Sequence, residues 1–373
     1  MAQELGVNGG QATREPSAVS SQPTNSAVTK PSFLCGILAS GTFLQKEGQL
    51  SPDFLSATKD CAVAWVDTPV ADMKGQAGAM AAAMGFDSSL VSALLEGYCA
   101  AYEDRTTELG LMLPAIKVEK FQVESPPVII LIRKNFIFTI HSTEIKRLER
   151  VLRYAETFMK KIPADLPVED KVTILLIRII DQNNEKNFDH LRYLEEQGDE
   201  LNHLLADPQT PRTRLGSEIY EMKHGLISYL NTMWATRGVL DSLRYGDAEA
   251  ITNDTRLLQQ IVLLAQDVDR QIGLAEHLSE VLASGLEVLQ SIYNNQLQIL
   301  NNRLALVVAF LTIIGTAVLV PNTLATILGN SAFDMVGHDL WWYIPLLIGS
   351  TVFSTWLAWW WVKSKGWLPK KVD

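Results

Sequence analysis

Residues 304–330 read LALVVAFLTIIGTAVLVPNTLATILGN and contain no charged side chain. About 20 mostly apolar residues in a helix suffice to cross the hydrocarbon core of a bilayer, so this stretch predicts a membrane span. Polar residues nevertheless recur in it at helical spacing. At ~100° per residue, six positions fall within an arc of roughly 80°, which we call the polar stripe: Thr312, Thr316, Leu319, Thr323, Thr326 and Asn330.

The polar stripe predicts a water-filled ion path. Polar residues inside a membrane generally face a bundle interior or a cavity rather than lipid. The alternative is that the hydroxyls bond to their own helix backbone or join neighbouring helices without a pore. Because five of the six positions are polar, the pattern favours a pore, and Asn322 is a further pore-lining candidate.

A second uncharged stretch, residues 340–362, predicts another span after a short loop at 331–339. Seven of the nine tryptophans lie at 341 or later and bracket this span like aromatic belts. No Lys or Arg occurs from 304 to 362, whereas four lysines follow: Lys363, Lys365, Lys370 and Lys371. The positive-inside rule therefore predicts an inner-membrane protein of the cell with both termini cytoplasmic. Asp334 and Asp339 would place negative charge around the outer mouth.

The charge balance and the cysteines argue against several classes of protein. The 373 residues carry a net charge of −10, and this acidity argues against a nucleic-acid partner. Three cysteines without a CxxC spacing indicate reduced thiols rather than a disulfide framework or zinc site. No glycine-rich phosphate loop or nucleophile–base motif is present, so we expect no enzyme and no cofactor. Three aspartates are interpreted as caps and turn residues: Asp67, Asp72 and Asp87.

The chain before the first span divides into three parts. Residues 1–32 are rich in small and polar residues and are expected to be disordered. Residues 33–142 predict a small α/β domain with strands at 61–67, 127–133 and 136–140, the last two joined by a turn at Lys134-Asn135. A helix is predicted from Ser88, as its N-cap, to residue 103.

Residues 143–303 are predicted to be helical, with helices at 143–161, 169–205 and 217–245. A last helix begins near Asn253 or Asp254, both good N-caps, and continues into the first span without a Gly-Pro break. If continuous, it would be roughly 110 Å long. Its apolar residues recur at steps of three and four, from Leu257 to Leu304. This period fits a coiled-coil seam between subunits and equally a bundle within one subunit.

Several segments resemble the CorA family of two-span divalent-cation channels. They are Asn302-Arg303-Leu304, Leu311-Thr-Ile-Ile-Gly-Thr316, Pro321 with Thr323, the ending Lys363-Ser-Lys-Gly-Trp-Leu368, and upstream residues 64–67 and 134–141. The resemblance implies an α+β cytosolic domain, a long-helix stalk and two C-terminal transmembrane helices. It also implies a funnel-shaped homopentamer whose first span lines the pore.

The sequence departs from that family at both ends of the first span. The Gly-Met-Asn signature is replaced by Leu328-Gly329-Asn330, which lacks the Met. The resemblance implies that Gly329 and Asn330 form an outer ring around a hydrated cation, with Thr323 as a second ring. Thr326, as a member of the polar stripe, is a further candidate on the same ion path. Ala305 and Ala309 stand where the family has an Asn and a Lys, so one inner polar ring is missing.

The resemblance leaves the transported ion open. Mg²⁺ dehydrates reluctantly, and rings of amide and hydroxyl oxygens could hold it by its water shell. We therefore expect Mg²⁺ uptake, with Zn²⁺ or Co²⁺ as alternatives and a non-transporting, membrane-tethered coiled-coil scaffold or sensor as another. Carboxylates of the last helix are hypothetical sensing sites for Mg²⁺: Asp267, Asp269, Glu276, Glu280 and Glu287.

Overall fold

The structure is a computed structural model and describes residues 30–206, 211–245, 248–329 and 337–364. It contains two compact units. The first comprises residues 1–195 and 224–277, and the second comprises residues 196–223 and 278–373. The predicted tail 1–32 falls almost wholly outside the described residues, as do Asn330, residues 331–336 of the loop and the lysine-rich end from residue 365.

The first unit is built on a mixed sheet of seven strands in the order β2-β1-β3-β9-β8-β5-β4. In chain order the strands are β1 Ser32–Leu38, β2 Phe43–Gly48, β3 Cys61–Val70, β4 Ala101–Arg105, β5 Glu108–Pro114, β6 Lys117–Glu119, β7 Gln122–Glu124, β8 Pro127–Arg133 and β9 Phe136–Ser142. Strands β3 and β9 pair in parallel, with Trp65 opposite Ile137. The β6–β7 hairpin forms a separate two-stranded sheet.

The three predicted strands are confirmed. β-branched and aromatic residues favour extended backbone, and β3, β8 and β9 are buried on both faces along most of their length. Lys134 has φ 52° and so lies in the left-handed region of the turn between β8 and β9. The amide of Asn135 fixes that turn by donating to the carbonyl of Thr58 over 2.9 Å and to that of Cys61 over 2.5 Å.

One face of the sheet is covered by α1 Pro52–Lys59, α2 Met73–Ala83 and α3 Ser88–Leu95. They form a hydrophobic core with alternate residues of the strands, such as Leu34, Val66 and Phe138. Asp72 and Asp87 accept hydrogen bonds from the backbone N–H of Lys74 and Ser89, which confirms their interpretation as caps.

The prediction of a helix at 88–103 is wrong for its second half. Asp87, not Ser88, is the N-cap, and α3 ends at Leu95. The backbone N–H of Gly97 then closes a turn on the carbonyl of Leu94. Residues 101–105 pair as β4 with β5, because the sheet edge offers unpaired backbone groups that a local helical pattern does not reveal.

Asp67 is not a cap or turn residue. It lies within β3, buried on the face of the sheet opposite the hydrophobic core just described. The Thr139 hydroxyl donates to its carboxylate and accepts from Trp65 Nε1 over 3.0 Å. His141 Nε2 lies 3.2 Å from Asp67 Oδ2, and Nδ1 donates to the Ser142 carbonyl over 2.8 Å. Burial lowers the pKa of His141, but the Asp67 charge and these hydrogen bonds outweigh it and raise the pKa overall.

The helical part differs from prediction mainly at its start. The helix predicted at 143–161 is two short helices, α4 Arg147–Arg153 and α5 Ala155–Met159, broken at Tyr154. The long helix predicted at 169–205 is confirmed as α6 Val168–Ala206, and the helix predicted at 217–245 starts earlier, as α7 Arg212–Arg244.

The last long helix, α8 Thr255–Leu328, is continuous over 74 residues. Asp254 is its N-cap, since the Asp254 carboxylate accepts from the backbone N–H of Arg256 over 2.6 Å. Its apolar seam falls into two parts. The earlier residues are buried within the chain: Ile261, Leu264, Val268, Ala275, Leu278 and Leu282. The later ones, Leu297, Leu300 and Leu304, are exposed, at 52% for Leu300. The bundle interpretation therefore holds for the first part only.

In the second unit, glycines allow α8 to approach α6 closely. A Cβ on Gly198 would lie 2.9 Å from Leu278 Cδ1, and one on Gly285 would lie 3.1 Å from Leu205 Cδ1. The chain ends, within the described residues, in a 3-10 turn at Gly337–Asp339 and α9 Leu340–Ser364.

Candidate functional site

The candidate site lies in the second unit, on the C-terminal part of α8 and on α9. Both helices are long and apolar enough to cross a membrane. The large apolar side chains of these segments are exposed, among them Phe310, Leu311, Ile348 and Phe353. Exposed contiguous apolar surface of this kind requires lipid or another chain to cover it.

The two helices meet at Ala317 and Ser354, which are 8% and 7% exposed. Each belongs to a row of residues of reduced exposure that recur at helical spacing along its helix. On α8 the row is Leu306, Ala309, Ile313, Ala317, Pro321, Leu324 and Leu328, and on α9 it is Tyr343, Leu347, Ser350, Thr351, Ser354, Ala358 and Val362. Small residues at the meeting point let the two backbones approach each other.

The polar stripe lies on a different face of α8. Its centre is roughly 125° around the helix from the row that contains Ala317. All described stripe positions are exposed, including Leu319 at 63%. Thr312 and Thr316 also border a groove of about 360 Å³ between α8 and α9. Asn322 is exposed but lies about 80° from the stripe centre, so it does not share the stripe's face.

The four described threonines of the stripe bond to their own helix. Each hydroxyl donates to the carbonyl four residues earlier: Thr312 to Val308 over 2.8 Å, Thr316 to Thr312 over 2.9 Å, Thr323 to Leu319 over 2.8 Å, and Thr326 to Asn322 over 2.7 Å. A hydroxyl has one proton and two lone pairs. With the proton used, each oxygen offers only acceptor capacity to its surroundings, which suits a cation or the protons of its bound water.

At its C-terminal end, α8 stops at Leu328, and the Gly329 N–H donates to the Ala325 carbonyl over 2.9 Å. A Cβ on Gly329 would lie 2.8 Å from that same oxygen, so this turn requires glycine. Asn330 and Asp334 lie outside the described residues. Asp339 accepts a hydrogen bond from Trp342 Nε1 over 3.4 Å and thus interacts with the first turn of α9.

Sequence reasoning missed the contact between the spans. Pro321 lacks an N–H, so the carbonyl of Ala317 loses its normal helical donor. The hydroxyl of Ser354 lies 3.4 Å from that carbonyl and donates to it. A proline in one span and a serine in the other were visible signals, but their pairing depends on how the helices pack.

The hypothetical sensing carboxylates are not brought together. Asp267 pairs with Arg270 over 2.5 Å, and Asp269 pairs with Arg237 over 2.8 Å. Glu276, Glu280 and Glu287 are exposed. In the described part of the chain, no three His, Cys, Asp or Glu side chains are placed to hold a metal ion.

A family model described as "CorA-like Mg2+ transporter protein" matches residues 61–364. The chain belongs to this family. The CorA-like match includes the sheet from β3 onward, the long helices and both candidate spans. It makes the chain a member of a family of divalent-cation transporters and confirms the family resemblance of the sequence motifs.

Solved structures confirm the CorA-like fold. The complete CorA magnesium transporter of Methanocaldococcus jannaschii is 18% identical, with a TM-score of 0.62 over 87% of this chain and 96% of that one. The full-length CmaX protein is 16% identical, with a TM-score of 0.55 over 89% of this chain and 96% of that protein. The ZntB cytoplasmic domain of Vibrio parahaemolyticus is 12% identical, with a TM-score of 0.51 over 72% of this chain and 99% of that domain. No curated protein sequence matches the chain.

Proposed function

We propose that the protein conducts hydrated Mg²⁺ into the cell through a homo-oligomeric pore lined by the polar stripe. The observation that carries the proposal is the separation of two faces on α8. One face packs on α9, and the stripe, roughly 125° away, stays exposed in the single chain. Polar residues facing lipid would be costly, so copies of α8 would enclose the stripe around a shared axis.

The threonines support a path for cations. Their protons are bonded to α8 itself, so a ring of such oxygens can accept hydrogen bonds from the water shell of a cation. None of the described stripe residues is a carboxylate that would strip this shell. Mg²⁺ usually keeps several of its waters, and such rings suit an ion carried in that form. Thr323, Thr326, Gly329 and Asn330 form the proposed outer ion path, with Asp334 and Asp339 around the mouth.

Assembly is supported by the second part of the α8 seam. Leu297, Leu300 and Leu304 continue the apolar period of the buried part yet are exposed in the single chain. In a ring of subunits they would pack against the same residues of neighbouring copies. The proposal includes five subunits, as the CorA resemblance implies, and cytoplasmic termini, as the lysines after the second span predict. The membrane potential is the proposed driving force.

The test is ion flux into proteoliposomes loaded with a Mg²⁺-sensitive dye, with an imposed potential that is negative inside. Each charge gains ~2.3 kcal/mol per 100 mV, so reversing the potential should suppress entry of a divalent ion strongly. Wild type should conduct Mg²⁺. Asn330→Ala and Thr323→Val should each lower flux about tenfold, which corresponds to a barrier increase of ~1.4 kcal/mol.

Thr355→Val is the matched control. Its hydroxyl also donates to its own helix, to the Thr351 carbonyl over 2.6 Å, but it belongs to α9. Flux should therefore stay near that of the wild type. Parallel assays with Zn²⁺ and Co²⁺ decide among the ions. Should wild type move none of the three, the transport proposal fails and the scaffold alternative stands.

A further inference from the structure

A second polar site lies in the first unit, around Arg147 at the start of α4. Its Nη1 donates to Asn187 Oδ1 over 2.7 Å, to Asn183 Oδ1 over 3.0 Å and to the Asn183 carbonyl over 3.1 Å. Its Nη2 donates to the carbonyl of Ile116. All of these acceptors are neutral, although a guanidinium normally pairs with a carboxylate when it is removed from water.

The charge of Arg147 is therefore uncompensated within the described part of the chain, where no carboxylate lies within ion-pair distance of it. Burial lowers the pKa of Arg147 to about 10, which still leaves it charged at neutral pH. Arg147 is half-buried, and a cation partly withdrawn from water without a counter-charge is unfavourable. Something that carries negative charge would stabilise this arrangement.

The same network contains an unsatisfied donor. Asn187 is 1% exposed, and its Oδ1 accepts from Arg147 and from the backbone N–H of Ile116 over 3.1 Å. Two donors on one oxygen fix the orientation of the amide. Its Nδ2 then has no hydrogen-bond partner among the described residues, which is rare for a buried amide.

Beside this network is a cavity of about 340 Å³, within the range of small-molecule sites. Its charged and titratable lining is Lys117, Glu144, Lys146, Arg147, Lys186 and His190. Lys117 and Lys186 have carboxylate partners, Glu119 at 2.9 Å and Asp189 at 2.6 Å.

Two cations of the lining remain without a carboxylate in the described structure, Lys146 and Arg147. Glu144 is the single acidic side chain of the lining, and its charge acts on Lys117. The excess of positive charge in this cavity contrasts with the net charge of −10 of the whole chain.

We propose that this cavity binds the phosphoryl group of a small molecule, with Lys146 and Arg147 as its counter-charges. A phosphoryl group carries up to two negative charges and several acceptor oxygens, which match two unpaired cations. Arginine suits phosphate through its planar donors, and lysine acts as a point charge. The proposal does not depend on ion conduction, because every residue in it belongs to the first unit.

The test measures binding of inorganic phosphate to the full-length protein in detergent by calorimetry, at about 0.15 M sodium chloride to screen non-specific attraction. Wild type should bind saturably, with a dissociation constant on the order of 1 mM. Lys146→Ala should raise that constant about tenfold, and Lys146→Glu should abolish binding. Lys146 is exposed, so these variants should fold, which circular dichroism checks.

Lys74→Glu is the control, an exposed lysine of α2 changed by the same charge. It should bind phosphate as wild type does. Competition by a nucleoside monophosphate or by a short-chain phosphatidic acid distinguishes a soluble ligand from a lipid headgroup. The proposal is overturned if wild type shows no saturable binding, or if Lys146→Glu and Lys74→Glu bind phosphate equally.

Discussion

The hydroxyl of Ser354 in α9 lies 3.4 Å from the carbonyl oxygen of Ala317 in α8 and donates to it. It also contacts the Thr351 carbonyl at 3.1 Å, so its one proton is shared. Ala317 is the residue whose helical donor is missing, because position 321 is proline. In a membrane a freed carbonyl must be satisfied by protein, and a serine of the neighbouring helix does so here.

This contact predicts a thermodynamic coupling between Ser354 and Pro321. Ser354→Ala should destabilise the full-length protein by ~1 kcal/mol, since it leaves the Ala317 carbonyl without a donor. Pro321→Ala restores the N–H, so Ser354→Ala should cost clearly less in that background. Denaturant unfolding in detergent measures the loss of unfolding free energy caused by Ser354→Ala in each of the two backgrounds. Ser364→Ala is the control, because the Ser364 hydroxyl donates to the Trp361 carbonyl within α9 over 2.8 Å. Equal losses in the two backgrounds would contradict the contact.

Two glycines of α7 should respond oppositely to alanine. A Cβ on Gly225 would clash with the carbonyl oxygen of Phe121, in the β6–β7 hairpin, whereas one on Gly238 meets nothing within 4 Å. Gly225→Ala should therefore destabilise the protein by several kcal/mol or displace the hairpin. Gly238→Ala should stabilise it by up to ~1 kcal/mol, because alanine favours the helix. The melting temperatures of the two variants test this prediction. A Gly225→Ala variant as stable as wild type would refute the close approach of Gly225 to Phe121.

The Asp67–His141 pair predicts a pH dependence. The pKa of His141 is raised in the folded protein, so its stabilising contribution is complete below the unfolded value of ~6.5 and is lost as pH rises through the folded pKa. Asp67→Asn removes the charge and leaves burial, which lowers the pKa. Stability should then fall as pH decreases below ~6.5.

The measurement for this pair is the melting temperature of the full-length protein between pH 5.5 and 8.5. Because breaking a buried pair costs ~3–5 kcal/mol, the difference between wild type and Asp67→Asn should be largest at acidic pH. Lys30 is the other charged group that acts on His141, and it lowers the pKa. His338→Gln, at an exposed position, is the control. A wild type–variant difference that does not change with pH would contradict the ionised pair.

Leu319 predicts a conductance effect that depends on the proposed pore. It is the one apolar member of the polar stripe, and a ring of leucines would oppose wetting of the path. Leu319→Thr should raise Mg²⁺ flux several-fold in proteoliposomes. Val318→Thr introduces the same hydroxyl about 100° away from Leu319 on α8, and it should leave flux unchanged. If both variants conduct alike, Leu319 does not face the ion path.

The sequence predicted the elements whose signals are local. Uncharged length identified both candidate spans, and apolar, β-branched runs identified β3, β8 and β9. The lack of a Gly-Pro break identified α8 as continuous. The sequence offered Asn253 and Asp254 as N-caps because capping depends on the residues immediately after the cap, and the structure shows that Asp254 is the cap. The polar stripe follows from helical periodicity alone, so its common face on α8 was set by the sequence.

Other features depended on residues far apart in the chain. The helix predicted at 88–103 ends early because β5 pairs with residues 101–105, and Asp67 is buried because Thr139, His141 and Trp65 surround it. The apolar periodicity of α8 does not distinguish the leucines that other helices of the chain bury from the leucines that stay exposed. The sequence by itself thus determined the spans, the long helix and the stripe, through local periodicity and charge. Only tertiary structure decided which face of α8 meets Ser354, and that Arg147 lies among neutral oxygens beside a cavity, because these contacts join side chains that no local pattern brings together.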